Sequence, residues 1–133
     1  MRVSDVAVGA ELPELVVDVT PTLIVAGALA SRDYQDVHHD RGLAEAAGAK
    51  DIFMNILTTN GFVGRFVTDW SGPEAVLKKV SIRLGAPNYP GDTMRMTGSV
   101  KRVDASGEIE GEVRGANSLG DHVTGTVTLE LPR

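Results

Sequence analysis

The chain has 133 residues, a net charge of −5 and no cysteine, which suits one domain with a buried core rather than two. The missing cysteines exclude a disulfide scaffold, a thiolate zinc site and a cysteine nucleophile, and the basic residues do not cluster as nucleic-acid binding requires. The N-terminus has no signal-peptide pattern, and no apolar run approaches the roughly 18 residues of a membrane span. We therefore expect a cytoplasmic protein without membrane contact.

The first half of the chain predicts one strand and up to three helices. Alternating apolar residues predict a strand over 15–19, which Thr20-Pro21 ends. Residues 22–30 are apolar and rich in alanine, and their periodicity leaves a short helix and a buried strand both open. A small helix is predicted over 42–47. The longest helix is predicted over 52–70, and because it is apolar around most of its girth, we expect it to be buried on most sides.

After residue 71 the pattern changes to the period of two that is typical of antiparallel strands with one buried face. Four strands are predicted, over 76–84, 93–100, 108–115 and 122–131. In the first of them, Val76, Val80 and Ile82 are expected on one face and Leu77 on the other. In the last, His122 falls on the polar face, where we expect solvent exposure.

One long helix followed by antiparallel strands predicts an α+β fold in which a curved sheet wraps a central helix. The chain has no internal repeat and no low-complexity linker, so residues 1–133 are expected to form a single domain. A small sheet leaves exposed edges and one incompletely covered face, and this favours dimerisation.

The most distinctive run is Asp33-Tyr34-Gln35-Asp36-Val37-His38, extended by His39 and Asp40. It sets a carboxylate and an imidazole five positions apart. Such a pair can take a proton from a shared water molecule and return one, as hydration of a polarised double bond requires. The alternative is a solvated loop whose Asp and His side chains bond only to the local backbone. Metal binding by His38, His39 and Asp40 is disfavoured because adjacent side chains diverge, so no metal site is predicted.

These residues resemble the MaoC-like hot-dog hydratases, which are (R)-specific 2-enoyl-CoA hydratases. The family motif, Ser-Gly-Asp-Phe/Tyr-Asn-Pro-x-His-x-Asp, corresponds to residues 31–40, and the later Pro-x-x-x-Gly-Asp signature corresponds to residues 87–92. The resemblance covers nearly the whole chain and implies the hot-dog fold. It also implies that Asp33 and His38 are the catalytic pair, which activates the water that attacks the β-carbon and returns a proton to the α-carbon.

The chain departs from the family pattern in two places. Family members polarise the thioester carbonyl with a backbone N–H of a His-Gly pair at the start of the central helix, and Met54-Asn55 occupies that place here. The resemblance therefore implies substrate binding at Met54 and Asn55, with the Asn55 N–H as donor at the helix N-terminus. The Asn55 side chain is a candidate second donor. The other departure is Gln35-Asp36, which replaces the family's Asn-Pro.

With these departures, the chain resembles the catalytic MaoC subunit of the heteromeric bacterial hydratases that degrade steroid side chains. This narrower resemblance implies a steroid-CoA substrate. It also implies a second hot-dog subunit that lacks the Asp/His pair, and a link to a thiolase-like aldolase.

The proposed chemistry makes few further demands. Near neutral pH an ordinary carboxylate is ionised and an ordinary imidazole is mostly neutral, and a desolvated pocket is expected to raise the pKa of Asp33. No metal or redox cofactor is required, because CoA enters as part of the acyl-CoA substrate. Its phosphates are expected near a partner chain or near Arg65, Lys78, Lys79 and Arg83. Two alternatives stay open, an acyl-CoA thioesterase of the same fold and a non-catalytic subunit that completes a partner's pocket.

Overall fold

The computed structural model describes all residues from 1 to 133 and consists of an antiparallel sheet with helices packed against it. The sheet has five strands in the order β1-β3-β4-β5-β2. They are β1 (Leu15–Asp18), β2 (Val76–Leu84), β3 (Thr93–Val103), β4 (Glu108–Asn117) and β5 (Gly120–Glu130). The helices are α1 (Pro21–Ala30), α2 (Arg41–Ala46) and α3 (Ile56–Ser71). The predicted α+β class is confirmed.

The core lies between α3 and one face of the sheet. Alternating residues of the three central strands point inward because successive side chains of a strand alternate between its faces. They meet the apolar stripe of α3, and the fully or almost fully buried members of this cluster are Val63, Phe66, Val67, Met94, Met96, Val100, Ile109, Val113, Val123, Val127 and Leu129. No helix is long and apolar enough to cross a membrane.

Capping residues decide where the helices begin. Thr20 accepts a hydrogen bond from Leu23 N at 3.0 Å, and Pro21 occupies the first turn, so the open question over residues 22–30 resolves as helix. Asn55 is extended (φ −78°, ψ 159°) and caps α3, which begins at Ile56 rather than at the predicted residue 52. The residues just before it lie outside any helix, and their N–H groups bond elsewhere: Phe53 N donates to Val37 O and Met54 N donates to Asn88 O.

Helix α3 is buried along one side only, so the prediction that it is covered on most sides is wrong for the single chain. Its buried residues, Thr59, Val63, Phe66, Val67 and Ser71, recur at helical spacing and face the sheet. In the first turn of α3, Ile56 and Leu57 are each 51% exposed. Of the residues that widened the predicted stripe, Met54 is buried in the core, while Leu57 and Phe62 line a groove between α1 and α3.

Two irregularities in the sheet overturn two face assignments. The register of β2 against β5 shifts between Leu77 and Lys79, so Leu77 pairs with the buried Leu129 on the core face while Val76 is 52% exposed. The register of β4 against β5 shifts beside Gly115, where His122 has no paired residue. A bulge inserts one extra residue and reverses the alternation beyond it. His122 therefore points inward and is only 2% exposed, contrary to the prediction of a solvent-exposed residue.

Candidate active site

The loop after α1 brings Asp33 back towards the end of that helix. Ser31 Oγ donates to Gly27 O at 2.7 Å, which satisfies a carbonyl at the helix C-terminus. Arg32 adopts a left-handed conformation with φ of 55°, which reverses the chain direction. Asp33 N then donates to Ala28 O at 2.9 Å, and this holds the Asp33 backbone against the last turn of α1.

His38 lies at the end of a short 3-10 turn, Asp36–His38, and its ring is held by Phe53. His38 Nδ1 is 2.7 Å from Phe53 O, and the two rings meet edge to face with centroids 5.0 Å apart. A carbonyl oxygen can only accept a hydrogen bond, so Nδ1 carries the proton and Nε2 of the neutral ring is left as an acceptor. Nε2 lies 3.3 Å from Asp33 Oδ2.

The two side chains thus direct a ring nitrogen and a carboxylate oxygen at the same small volume. The side chain of His38 is 7% exposed and that of Asp33 is 15% exposed, so both are largely buried but still reach solvent. Two acceptors at this distance are joined only by a shared proton or by a donor to both, and a water molecule provides two O–H donors. The arrangement is that of a general base beside a group able to orient water.

Asn55 links this pair to the start of α3. Its Nδ2 donates to Asp33 Oδ2 at 3.1 Å and to Ser31 Oγ at 2.9 Å. Its Oδ1 accepts from Thr58 N at 3.0 Å and from Thr58 Oγ1 at 2.5 Å. Both amide protons are engaged within the chain, so neither is free for a substrate here, and the role of second donor stays a prediction. The backbone N–H of Asn55 donates to no group of the chain.

The pKa of Asp33 is shifted in the direction opposite to the one expected. The side-chain hydrogen bond from Asn55 is the largest influence and holds the pKa of Asp33 below its ordinary value. Burial opposes this shift, while the Gln35 N–H and the neighbouring His38 add to it. Burial acts in the expected direction, but the expected net rise of this pKa is wrong, because donors stabilise the carboxylate more than burial penalises it.

Met54 is directed away from this site. Its side chain is 3% exposed within the core, where Asn88 Nδ2 lies 3.7 Å from Met54 Sδ. Its N–H is also engaged, since it donates to Asn88 O at 3.1 Å. Met54 offers neither group to a substrate in the single chain, and the substrate contact predicted for it is not supported by this geometry.

The remaining histidines have different surroundings. His39 is exposed, and its Nε2 lies 3.8 Å from Asp36 Oδ1. Buried His122 is a polar residue that sequence reasoning misplaced: its Nδ1 donates to Ala86 O at 2.7 Å, and its Nε2 is 2.8 Å from Thr59 Oγ1. Burial lowers the pKa of His122. Thr59 is the feature of the sequence that could have indicated a buried His122, because a threonine on the apolar stripe of α3 needs a buried hydrogen-bond partner.

A groove between α1 and α3 opens beside the site. It has a volume of about 400 Å³, and Ser31 and Thr58, the two neutral partners of Asn55, belong to its wall. Arg65 also lines it, and its Nε lies 3.4 Å from Asp69 Oδ2.

The other cations predicted near the CoA phosphates lie outside the groove lining. Lys78 Nζ is 2.8 Å from Glu130 Oε2, while Lys79 and Arg83 form no ion pair. No group of three or more His, Cys, Asp or Glu side chains is arranged to bind a metal ion.

Known proteins share both the sequence and the fold. Residues 7–120 match the family described as the MaoC like domain. The 3-oxo-4,17-pregnadiene-20-carboxyl-CoA hydratase beta subunit of Mycobacterium tuberculosis (strain ATCC 25618 / H37Rv) is 56% identical over 124 residues, which cover 93% of this chain and 95% of that protein. The crystal structure of the ChsH1-ChsH2 complex from Mycobacterium tuberculosis contains a chain of 55% identity and TM-score 0.92, with 94% of this chain and 98% of that chain covered.

More distant proteins share the fold. The unliganded R-hydratase PhaJ1 from Pseudomonas aeruginosa is 18% identical, yet it matches with a TM-score of 0.91 over 99% of this chain and 86% of its own. These findings confirm the predicted hot-dog fold and the predicted class of enzyme, a hydratase. With the family match over residues 7–120 and a relative of 56% identity, the chain belongs to the MaoC-like dehydratase family, as its motifs predicted.

Proposed function

We propose that the chain adds water to a 2-enoyl-CoA thioester to form the 3-hydroxyacyl-CoA, with Asp33 and His38 as its catalytic residues. The observation that carries this proposal is the 3.3 Å approach of His38 Nε2 to Asp33 Oδ2, two acceptors with no protein donor between them. A thioester carbonyl withdraws electrons from the double bond, so the β-carbon is open to attack by a water held at this point.

The proton balance follows from the roles of the two groups. Asp33 Oδ2 accepts one hydrogen of the water and orients it, while His38 Nε2 takes the other as the water oxygen bonds to the β-carbon. The resulting imidazolium is stabilised by the Asp33 carboxylate. His38 then returns the proton to the α-carbon of the enolate. One O–H bond of water and the C=C π bond break, and one C–O and one C–H bond form.

The enolate oxygen needs a hydrogen-bond donor, and the free backbone N–H of Asn55 is the proposed one. This N–H precedes the first turn of α3, where the helix dipole favours developing negative charge. A single donor of this kind typically contributes about 2.7–4 kcal/mol to transition-state stabilisation. The reaction needs no metal or redox cofactor, since no electrons leave the substrate and the thioester itself polarises the double bond.

The substrate and the partners are proposed from the relatives. A hydratase subunit of 56% identity is named for a pregnadiene carboxyl-CoA, which favours a steroid side-chain CoA ester. A chain of 55% identity occurs in the ChsH1-ChsH2 complex, which favours a second MaoC-like hot-dog subunit here. The link to a thiolase-like aldolase stays a prediction. The exposed Ile56 and Leu57 side chains in the first turn of α3 are consistent with such a partner. The cytoplasmic location stays a prediction.

Product analysis tests the reaction type. The chain, alone and co-expressed with its candidate hot-dog partner, is given short-chain and steroid 2-enoyl-CoA esters in ¹⁸O-labelled water. We expect a product heavier by one labelled water with CoA still attached. Release of free thiol would instead establish a thioesterase. Turnover of crotonyl-CoA by the chain alone would contradict an obligate steroid heteromer.

A further inference from the structure

Asn55 fills the space between the end of α1 and the start of α3 with a side chain whose hydrogen-bonding capacity is fully used. The residue is 1% exposed. Its two amide protons go to Ser31 Oγ and Asp33 Oδ2, and its oxygen accepts from the N–H and the hydroxyl of Thr58. A buried amide with every position satisfied has one orientation, because turning it over would oppose donors to donors.

The neighbours of Asn55 fix this orientation independently. Thr58 N lies in the first turn of α3, where backbone donors lack a carbonyl partner one turn earlier, so the group that accepts from it must be the amide oxygen. Ser31 donates its own proton to Gly27 O, which leaves its oxygen to accept from Nδ2. The second Nδ2 proton is thereby aimed at Asp33 Oδ2, 3.1 Å away.

Asp33 has few other fixed partners. Its Oδ1 accepts from Gln35 N at 3.3 Å, a bond within an exposed loop. Asn55 is thus the buried donor to the oxygen that also faces His38 Nε2. A hydrogen bond to an ionised carboxylate is stronger than one between neutral groups, so this contact can hold the carboxylate plane.

We infer that Asn55 is a positioning residue that holds Asp33 Oδ2 towards His38 Nε2 through its side-chain amide. This inference rests on the proposed function and deepens it. A carboxylate held by a donor is a weaker base, so Asp33 orients the water and His38 carries the proton. The same donor is the largest influence that keeps the pKa of Asp33 below its ordinary value.

Two substitutions separate this role from the capping of α3. Serine and aspartate cap helices about as well as asparagine, so Asn55→Ser and Asn55→Asp both preserve the helix start and the backbone N–H. The serine side chain is too short to reach Asp33, and the aspartate replaces the donor with a second carboxylate. Thr20→Ala is the matched control, because it removes the cap of α1 without touching the site.

The first measurement is a ¹³C NMR titration of the Asp33 carboxyl group in the full chain, with the signal assigned by its loss in Asp33→Asn. We expect the midpoint to rise in Asn55→Ser and to rise further in Asn55→Asp, where two like charges adjoin. It should not move in Thr20→Ala. An unchanged midpoint in both Asn55 variants would overturn the inference, whatever reaction the protein catalyses.

The second measurement is steady-state hydration by the complex of the chain with its hot-dog partner. A misplaced catalytic group typically costs up to a hundredfold in rate, so we expect kcat of Asn55→Ser to fall about ten- to a hundredfold with KM little changed. If Asp33→Asn abolishes turnover while Asn55→Ser keeps the wild-type kcat, the proposed function stands and the positioning role is refuted. If Asp33→Asn has no effect, the proposed function fails by itself.

Discussion

Replacing Gly27 with alanine should disturb the site through Thr58, which faces Gly27 across the contact between α1 and α3. A Cβ at Gly27 would lie 2.2 Å from Thr58 Oγ1 and 2.9 Å from Thr58 Cγ2. Threonine is stiff at its first side-chain torsion, and its hydroxyl is already bonded to Asn55 Oδ1. Either α1 must move away from α3 or Thr58 must give up that bond.

The size of the effect follows from three contributions. Alanine favours a helix interior over glycine by about 1 kcal/mol. Overpacking of this kind typically costs about 1–3 kcal/mol, and a lost hydrogen bond costs about 1 kcal/mol more. We expect Gly27→Ala to lower the free energy of unfolding by about 1–3 kcal/mol and to lower kcat, because Asn55 loses a partner.

The assay is urea unfolding of a double-mutant cycle. Thr58→Ala removes the two nearest atoms and leaves only Cβ at 3.1 Å, so adding Gly27→Ala to that background should cost far less than in the wild type. Gly61→Ala is the control, since a Cβ there meets nothing within 4 Å. That variant should be at least as stable as the wild type. Additive losses, or a Gly27→Ala variant as stable as Gly61→Ala, would refute the reasoning.

Two further predictions concern the core. Burial lowers the pKa of His122 from 6.5, so the unfolded chain binds a proton more readily and the folded chain should lose stability as pH falls below about 6.5. Between pH 7 and pH 5, the free energy of unfolding should fall less in His122→Gln than in the wild type. An equal fall in both proteins would contradict the assignment of this pH dependence to His122. Phe66→Ala should cost about 3–5 kcal/mol, whereas Leu119→Ala at an exposed turn should change stability by less than about 0.5 kcal/mol in the same titration. Similar losses for the two variants would contradict the proposed core.

Much of the fold could be predicted because its determinants are local. Period-two alternation in the second half of the chain marks the strands. The starts of α1 and α3 were not predicted, although local residues fix them, since Thr20 and Asn55 cap these helices in the structure. The bulges could not be predicted this way. One unpaired residue shifts every later side chain to the other face, and nothing in the alternation around His122 announces the shift beside Gly115.

The site divides in the same manner. Asp33 and His38 are close in sequence, and the structure brings them within hydrogen-bonding reach of one point. The role of the Asn55 side chain depends on the contact between the end of α1 and the start of α3. Asn55 lies 22 residues after Asp33 in the chain. Local spacing carries no information about that contact, so the sequence alone left this side chain as a candidate substrate donor.

The central claim is that Asp33 and His38 act together on one water molecule. Hydration by the complex of the chain with its hot-dog partner should be measured for Asp33→Asn, His38→Gln and the double variant, with the exposed His39→Gln as control. Because the residues act as a unit, each single variant should lose about a thousandfold in kcat and the double variant little more, with the control near the wild type. Losses that multiply in the double variant, or turnover that survives both changes, would contradict the account.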